Sequence, residues 1–165
     1  MLSGLTLLDS DWSTPANWAK EWHYGHLVDE MARRGVPAED RQALFKRICF
    51  NILVGNDDDH PKNVAVLFID GRWRLSPMYD VVPTTDGEAP QTLAMTIGQH
   101  GKEISRRNLL SQVAHYGLDV AQANTVIDEV MGWAPALREH YRQHLPEPEL
   151  QIALAAMRVA KLQGD

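Results

Sequence analysis

A single cysteine, no long apolar run and no surplus of basic charge set the first limits on what this chain can be. With Cys49 alone, no internal disulfide and no cysteine-based zinc site can form. The residue falls inside an apolar helical pattern, which predicts a buried structural thiol rather than a nucleophile. No apolar stretch reaches the roughly twenty residues needed to span a bilayer, so no membrane association is expected. Residues 1–8 are apolar but lack a basic flank and meet Asp9 and Asp11 at once, unlike a secretory leader. The expected compartment is the cytoplasm. Sixteen Lys and Arg stand against twenty-two Asp and Glu, a net charge of −6. Affinity for a phosphate backbone comes mainly from basic side chains, so this balance argues against broad nucleic-acid binding, though not against a small basic patch. Internal repeats, low-complexity tracts and domain linkers are missing too. The remaining character, 44% hydrophobic and 23% charged over 165 residues, is that of an ordinary globular domain long enough to bury one core. The expected organisation is one domain over residues 1–165.

Periodicity supplies the elements. Ser13-Thr14-Pro15 is a helix start, with a hydroxyl to cap free N–H groups and Pro at the first helical position. From Ala16 onward, Ala19, Trp22, Leu27, Val28 and Met31 keep an amphipathic spacing that predicts a helix ending at Gly35. After Val36-Pro37, the residues Leu44, Phe45, Ile48, Cys49, Ile52 and Leu53 form a wide apolar stripe at spacings of three and four. That predicts a largely buried helix stopped by Gly55. Asn56-Asp57-Asp58-Asp59-His60-Pro61-Lys62-Asn63 is polar and carries a proline, so it forms a loop. Residues 64–69 read as a strand, Asp70-Gly71 as a two-residue turn that accepts positive φ, and residues 72–75 as the returning strand. Residues 82–91 read as a loop and residues 92–97 as a short strand. Ser105 is placed to cap a helix ending near Gly117, and Asp119 to cap another that Pro135 interrupts. A last helix is expected over residues 148–162. The fold class is mostly α (α+β), a helical body carrying a small β-hairpin.

The chemistry concentrates in the loop–hairpin–loop segment. A hairpin's strands leave and return at the same end of a sheet, so Asn63 and Asp80 are expected to lie close in space. Asp58 precedes Asn63 on the same loop. Two carboxylates and a carboxamide at one hairpin mouth supply hard oxygen ligands and no sulfur. That suits Mg²⁺, which binds one or two carboxylates together with substrate phosphates. The order is also that of the protein-kinase plan: a catalytic Asp, four residues, a metal-binding Asn, a hairpin, then a second metal-binding Asp. The spacing from Asp58 to Asn63 is common by chance; followed by a hairpin and Asp80 it is more specific.

Residues 50–83, with the cores Gly55-Asn56-Asp57-Asp58-Asp59-His60-Pro61-Lys62-Asn63 and Trp73-Arg74-Leu75-Ser76-Pro77-Met78-Tyr79-Asp80, resemble the C-terminal domain of HipA-type kinases. More loosely the resemblance extends to Leu5-Thr6-Leu7-Leu8, the helices before the loop and the helical tail. It implies a serine/threonine kinase acting as the toxin of a toxin–antitoxin system, with Mg²⁺ and ATP as cofactor and co-substrate. A HipB-like antitoxin would be a partner, and an aminoacyl-tRNA synthetase a substrate. It implies Asp58 as catalytic base, His60 and Tyr79 at the nucleotide, Asn63 at the nucleotide and the metal, and Asp80 as the other metal ligand. Asp57 and Asp59 would shape the loop; a register error of one would hand the base role to either, Asp59 first.

The chain also departs from that family. Residues 1–50 hold no glycine-rich phosphate-cradling run, no evident phosphate lysine and no adenine hinge, and only the first ten residues could form a strand. The expectation is the C-lobe of a kinase with its N-lobe absent, supplied by a separate chain or a longer parent. A pseudokinase remnant or partner-binding regulatory module is the alternative, and a metal-dependent hydrolase a third reading. Plainer roles stand beside each site residue: a structural hydrogen bond for His60, packing on the hairpin for Tyr79, and an exposed loop position for Lys62. Trp12, Trp18 and Trp22 read as packing between helices or as a docking face. His100, Lys102, Arg106 and Arg107 read as a charged surface or an anion contact.

Overall fold

A computed structural model describes residues 1–84, 92–159 and Leu162. Two short elements open the chain: strand β1 (Leu2–Ser3) and helix α1 (Gly4–Leu7), started by the Ser3 hydroxyl accepting from the Thr6 N–H. Then come α2 (Pro15–Glu21), α3 (Tyr24–Arg33) and the long α4 (Ala38–Val54). Strands β2 (Ala65–Ile69) and β3 (Arg72–Leu75) follow. The remainder is helical: α5 (Arg106–Leu110), α6 (Val120–Gly132), α7 (Ala134–His144) and α8 (Glu147–Ala156). The three strands make one antiparallel sheet in the order β1-β2-β3, with Leu2 opposite Val66 and Val66 opposite Leu75. This is the mostly helical fold with a small hairpin that the periodicity predicts.

Helix α4 is the axis of the core. Its stripe of Leu44, Phe45, Ile48, Cys49, Ile52 and Leu53 is buried against Leu27, Val28 and Met31 of α3 and Ile127 and Val130 of α6. Burial pushes the Cys49 thiol up to about 12, so it is an inert packing group, as expected. The helix stops at Gly55, which adopts φ 73°. The turn residues Asp70 and Gly71 take φ 49° and 76°, the paired positive values that let a two-residue turn follow the twist of its strands.

Several expectations are corrected. The helix expected from Ala16 to Gly35 is two helices, broken at Trp22-His23. There the Thr96 N–H donates to the Trp22 carbonyl (2.8 Å) and the Tyr24 N–H donates to the Thr96 carbonyl (3.0 Å). Backbone groups that a continuous helix would use are spent on that bridge, and His23 caps α3 instead, its Nδ1 accepting from the Gly25 N–H at 3.0 Å. The Ser13 and Thr14 hydroxyls do not cap α2; both donate to the Asp11 carboxylate. Residues 92–97 form isolated bridges at Thr92 and Thr96 rather than a strand. The helix capped by Ser105 ends at Leu110, and a 3-10 turn (Val113–Tyr116) completes the run to Gly117. Asp119 does cap α6, in a reciprocal box with Gln122, and Pro135 stands in the first turn of the separate α7. The last helix ends at Ala156, because the chain turns there to follow the end of α4; Leu162 is nevertheless buried. Much of the expected loop over residues 82–91 lies outside the described residues.

Two ties hold the hairpin and the tail to α4. Asp40 accepts from Arg74 Nε (2.7 Å) and Nη2 (2.8 Å) and from the Leu75 N–H (2.8 Å), a fork that fixes β3 to the first turn of α4. These hydrogen bonds, those from Arg74 foremost, hold the Asp40 carboxyl below the usual carboxylate range. At the other end, Gly55 lies so close to Ala156 that a Cβ would land on the Ala156 carbonyl.

Gly35 and Gly55 both need positive φ, but only Gly55 is crowded. Gly35→Ala should therefore cost about 1 kcal/mol, the left-handed penalty alone. Gly55→Ala should cost about 2–4 kcal/mol, because overpacking adds to that penalty, and lower the thermal midpoint by roughly 5–15 °C. Thermal unfolding followed by circular dichroism compares them; equal losses would mean that α4 and the tail do not press together at Gly55.

Candidate active site

The loop after α4 is held by a polar network on its inner side. The Asp59 carboxylate is buried and accepts from the Tyr24 hydroxyl of α3 and from Asn51 Nδ2 of α4 at 2.6 Å. Asn56 Nδ2 in turn donates to Asn51 Oδ1 at 3.2 Å. All four residues are buried, so each lost partner would leave a desolvated polar group. Burial raises the Asp59 carboxyl above its ordinary value, opposed by the hydrogen bonds from Tyr24 and Asn51. The same apolar surroundings, with the Asp59 charge beside it, push the Tyr24 hydroxyl well up.

With Asp59 turned inward, the residues beside it differ in exposure. Asp58 is exposed and Asp57 half-buried. The Asp58 carbonyl accepts from the His60 N–H (2.9 Å) and from Asn63 Nδ2 (3.1 Å), closing the loop into a 3-10 turn over Pro61–Asn63. Because the Asn63 amide nitrogen is spent on that bond, its Oδ1, the atom able to ligate a cation, has no hydrogen-bond partner among the described residues. Alongside runs the segment carrying Tyr79 and Asp80. The Tyr79 hydroxyl donates to the Lys62 carbonyl (2.7 Å), the Thr84 N–H donates to the Gly55 carbonyl (2.9 Å), and the Thr84 hydroxyl donates to the Asp57 carboxylate. Asp80, between these ties, is exposed and takes φ 55°, a left-handed value uncommon outside glycine.

His60 and Lys62 meet the tryptophans. Trp18 and Trp22 stack at 4.2 Å, and Trp12 packs on both, at 4.9 and 5.3 Å. The His60 ring stands edge-on to Trp12 at 5.0 Å, and Lys62 Nζ lies over the Trp12 face at 3.4 Å. His60 Nδ1 is buried without a partner among the described residues. The three tryptophans stack beside the acidic loop; Trp22 is part of the buried core, Trp18 packs partly against that core, and Trp12 is exposed.

Asn51, Tyr24 and Asp40 are residues that sequence patterns do not mark as part of the site. A lone amide in the apolar stripe of α4 is nevertheless a usable signal for Asn51; the bonds that Tyr24 donates to Asp59 and Arg74 donates to Asp40 span 35 and 34 residues and carry no local signal.

The helical body with an acidic loop beside a small antiparallel sheet is the fold of the HipA structure that matches this chain. The chain belongs to the HipA-like C-terminal domain family, whose model matches residues 1–137. Among curated proteins, "Putative kinase Y4mE" of Sinorhizobium fredii is 36% identical over 64 residues, covering 38% of this chain and 15% of that protein. Among solved structures, the Shewanella oneidensis MR-1 toxin–antitoxin complex of HipA, HipB and operator DNA matches with a TM-score of 0.73 and 18% identity. That match covers 94% of this chain and 42% of its counterpart, so the chain spans less than half of either relative.

The buried Asp59 predicts a pH signature. Its folded-state pKa is raised, so between about pH 4, where the unfolded chain ionises, and that higher value only the native state keeps the proton. Stability then falls as pH rises. Asp59→Asn lacks this term, so the stability difference should move in the variant's favour from about pH 3 to neutrality. Urea unfolding of both proteins at several pH values checks it; parallel curves would mean that Asp59 is not buried in the folded chain.

Proposed function

We propose that the chain is the C-terminal lobe of a HipA-like serine/threonine kinase, transferring the γ-phosphoryl group of ATP to a protein hydroxyl. The observation that carries this reading is the bond from Asn63 Nδ2 to the Asp58 carbonyl, which realises the kinase spacing as one closed turn. The ties at Tyr79 and Thr84 run the Asp80 segment along the same loop. In this reading the exposed Asp58 carboxylate orients the attacking hydroxyl and accepts its proton. The hydroxyl oxygen forms the new bond to phosphorus as the bond to the ADP oxygen breaks. His60 and Tyr79 border the nucleotide, and Lys62 lies on the same loop.

The donor set fits Mg²⁺. Asn63 Oδ1 and the Asp80 carboxylate are hard oxygens, and both residues are at least partly open to solvent. Among the described residues no three His, Cys, Asp or Glu side chains gather into a self-sufficient metal cage. In this reading the cation would take its other ligands from phosphate and water. When bound, Mg²⁺ would neutralise charge developing on the phosphates.

The remaining nucleotide contacts are assigned to an N-lobe from a longer parent or a second chain. An antitoxin of the HipB kind is the proposed partner and an aminoacyl-tRNA synthetase the proposed substrate. No helix among the described residues is long and apolar enough to cross a membrane, and a cytoplasmic site of action accords with such a substrate.

Two measurements test the reading. With Mg²⁺ present, millimolar ATP should raise the thermal midpoint, since a ligand that binds only the folded state stabilises it by RT ln(1 + [L]/Kd). Asn63→Ala and Asp80→Ala should remove the Mg²⁺ dependence of that rise. In the chain joined to its N-lobe, Asp58→Asn should lose about 10²–10⁴ in phosphotransfer rate while keeping the ATP-dependent rise. No response to Mg²⁺ and ATP would favour the partner-binding module, and near-normal turnover by Asp58→Asn would take the base role from Asp58.

A further inference from the structure

Asp57, Asp58 and Asp59 are consecutive in the acidic loop, and Arg158, from the far end of the chain, lines a narrow cleft at the base of that loop together with Asp57. Arg158 follows α8, outside the residues that the family model matches. It is 6% exposed. Its N–H donates to the Leu53 carbonyl in the last turn of α4 (3.1 Å), and Arg106 Nε holds the Leu162 carbonyl farther on (2.9 Å). With Ala156 pressed on Gly55, this segment is fixed against the point where α4 becomes the loop.

We propose that Arg158 is a positioning residue: its guanidinium balances the Asp57 carboxylate from beneath and so holds the acidic loop in the shape that presents Asp58. The side chain is under-satisfied by its own segment. Of five N–H donors, Nη1 donates to the Ala155 carbonyl (3.2 Å), and Nε has no partner among the described residues. A buried cation left so needs a nearby opposite charge. Asp57 lines the same narrow cleft as Arg158, together with Asn51, Gly55 and Asn56, and faces it across that cleft without a direct ion pair. Burial pulls the guanidinium below its ordinary range, and the Asp57 charge opposes that pull. Asp57 also accepts the Thr84 hydroxyl, so the balanced carboxylate ties the loop to the segment carrying Asp80. Removing the positive charge leaves adjacent like charges uncompensated, and the loop relaxes away from its closed turn.

The catalytic half of this inference rests on the kinase reading; the electrostatic half does not. The test is a double-mutant cycle with Arg158→Met, Asp57→Asn and the pair, plus Arg158→Lys, in the full chain and in the chain joined to its N-lobe. In thermal unfolding, Arg158→Met should lower the midpoint, Arg158→Lys should stay near wild type, and the pair should recover most of the loss. In phosphotransfer, Arg158→Met should lower kcat about tenfold, within the range for coupled neighbours, with KM for ATP little changed, and adding Asp57→Asn should restore part of kcat. Losses that simply add in the double variant, or equal behaviour of Met and Lys at position 158, would overturn the proposal. Should Arg158→Met fail to fold, Arg158→Gln closes the same cycle. A wild-type chain without phosphotransfer would defeat the kinase reading, whereas the unfolding cycle would still decide the role of Arg158.

Discussion

The buried Asp59 carboxylate, gripped by the Tyr24 hydroxyl and the Asn51 amide, anchors the acidic loop to the interior. It converts a polar, proline-containing segment into a fixed loop by giving that loop an anchor inside the protein. A tight turn centred on Asp59, closed by the His60 N–H on the Asp58 carbonyl, lets Asp59 point inward while Asp58 stays exposed. The donors come from two helices that already share an apolar core, so their geometry is set before the loop is considered. A buried ionisable group is an expensive anchor and often no better for stability than an apolar one. Its value here is directional: a carboxylate accepting from two fixed donors allows few loop conformations.

Around that anchor the molecule repeatedly joins segments distant in sequence to the two ends of α4. Asp40 in its first turn clamps the returning strand of the hairpin; Gly55 at its end receives the C-terminal segment and Thr84. The hairpin therefore acts as a measured spacer. It leaves the loop at Asn63, turns at Asp70-Gly71, and is held at Leu75, so the Tyr79-Asp80 segment returns beside the place it left. The tryptophan stack closes the other flank through Lys62 and His60. Each tie is a modest interaction; together they leave the loop few ways to move without breaking several at once.

The parts of this arrangement that were legible in the sequence are those written in local periodicity. The stripe of α4, its stop at Gly55, the Asp70-Gly71 turn and the Asp119 cap depend on residues within a few positions of one another, and they stand where the pattern put them. The break in the first long helix and the early end of the last come from distant partners, whereas the missing cap of α2 has a local competitor, Asp11. Trp22 and Tyr24 surrender helical continuity to Thr96, and the last helix ends early because Arg158 finds the Leu53 carbonyl. Within the site, the spacing of Asp58, Asn63 and Asp80 is local enough to be seen in the sequence, while Tyr79 enters only through the family resemblance. The choice of which Asp in a run of three turns inward cannot be seen there, because Tyr24 and Asn51 decide it.

The lone thiol of Cys49 lies at the middle of the same helix, fully enclosed and held protonated by its surroundings. A thiolate is the reactive form, so alkylating reagents in water find no nucleophile while the core is closed. Only molecules that have opened around α4 expose one. The chain thus carries a built-in counter of core openings, and the rate at which that sulfur is captured reports how often the helix beneath the acidic loop comes apart.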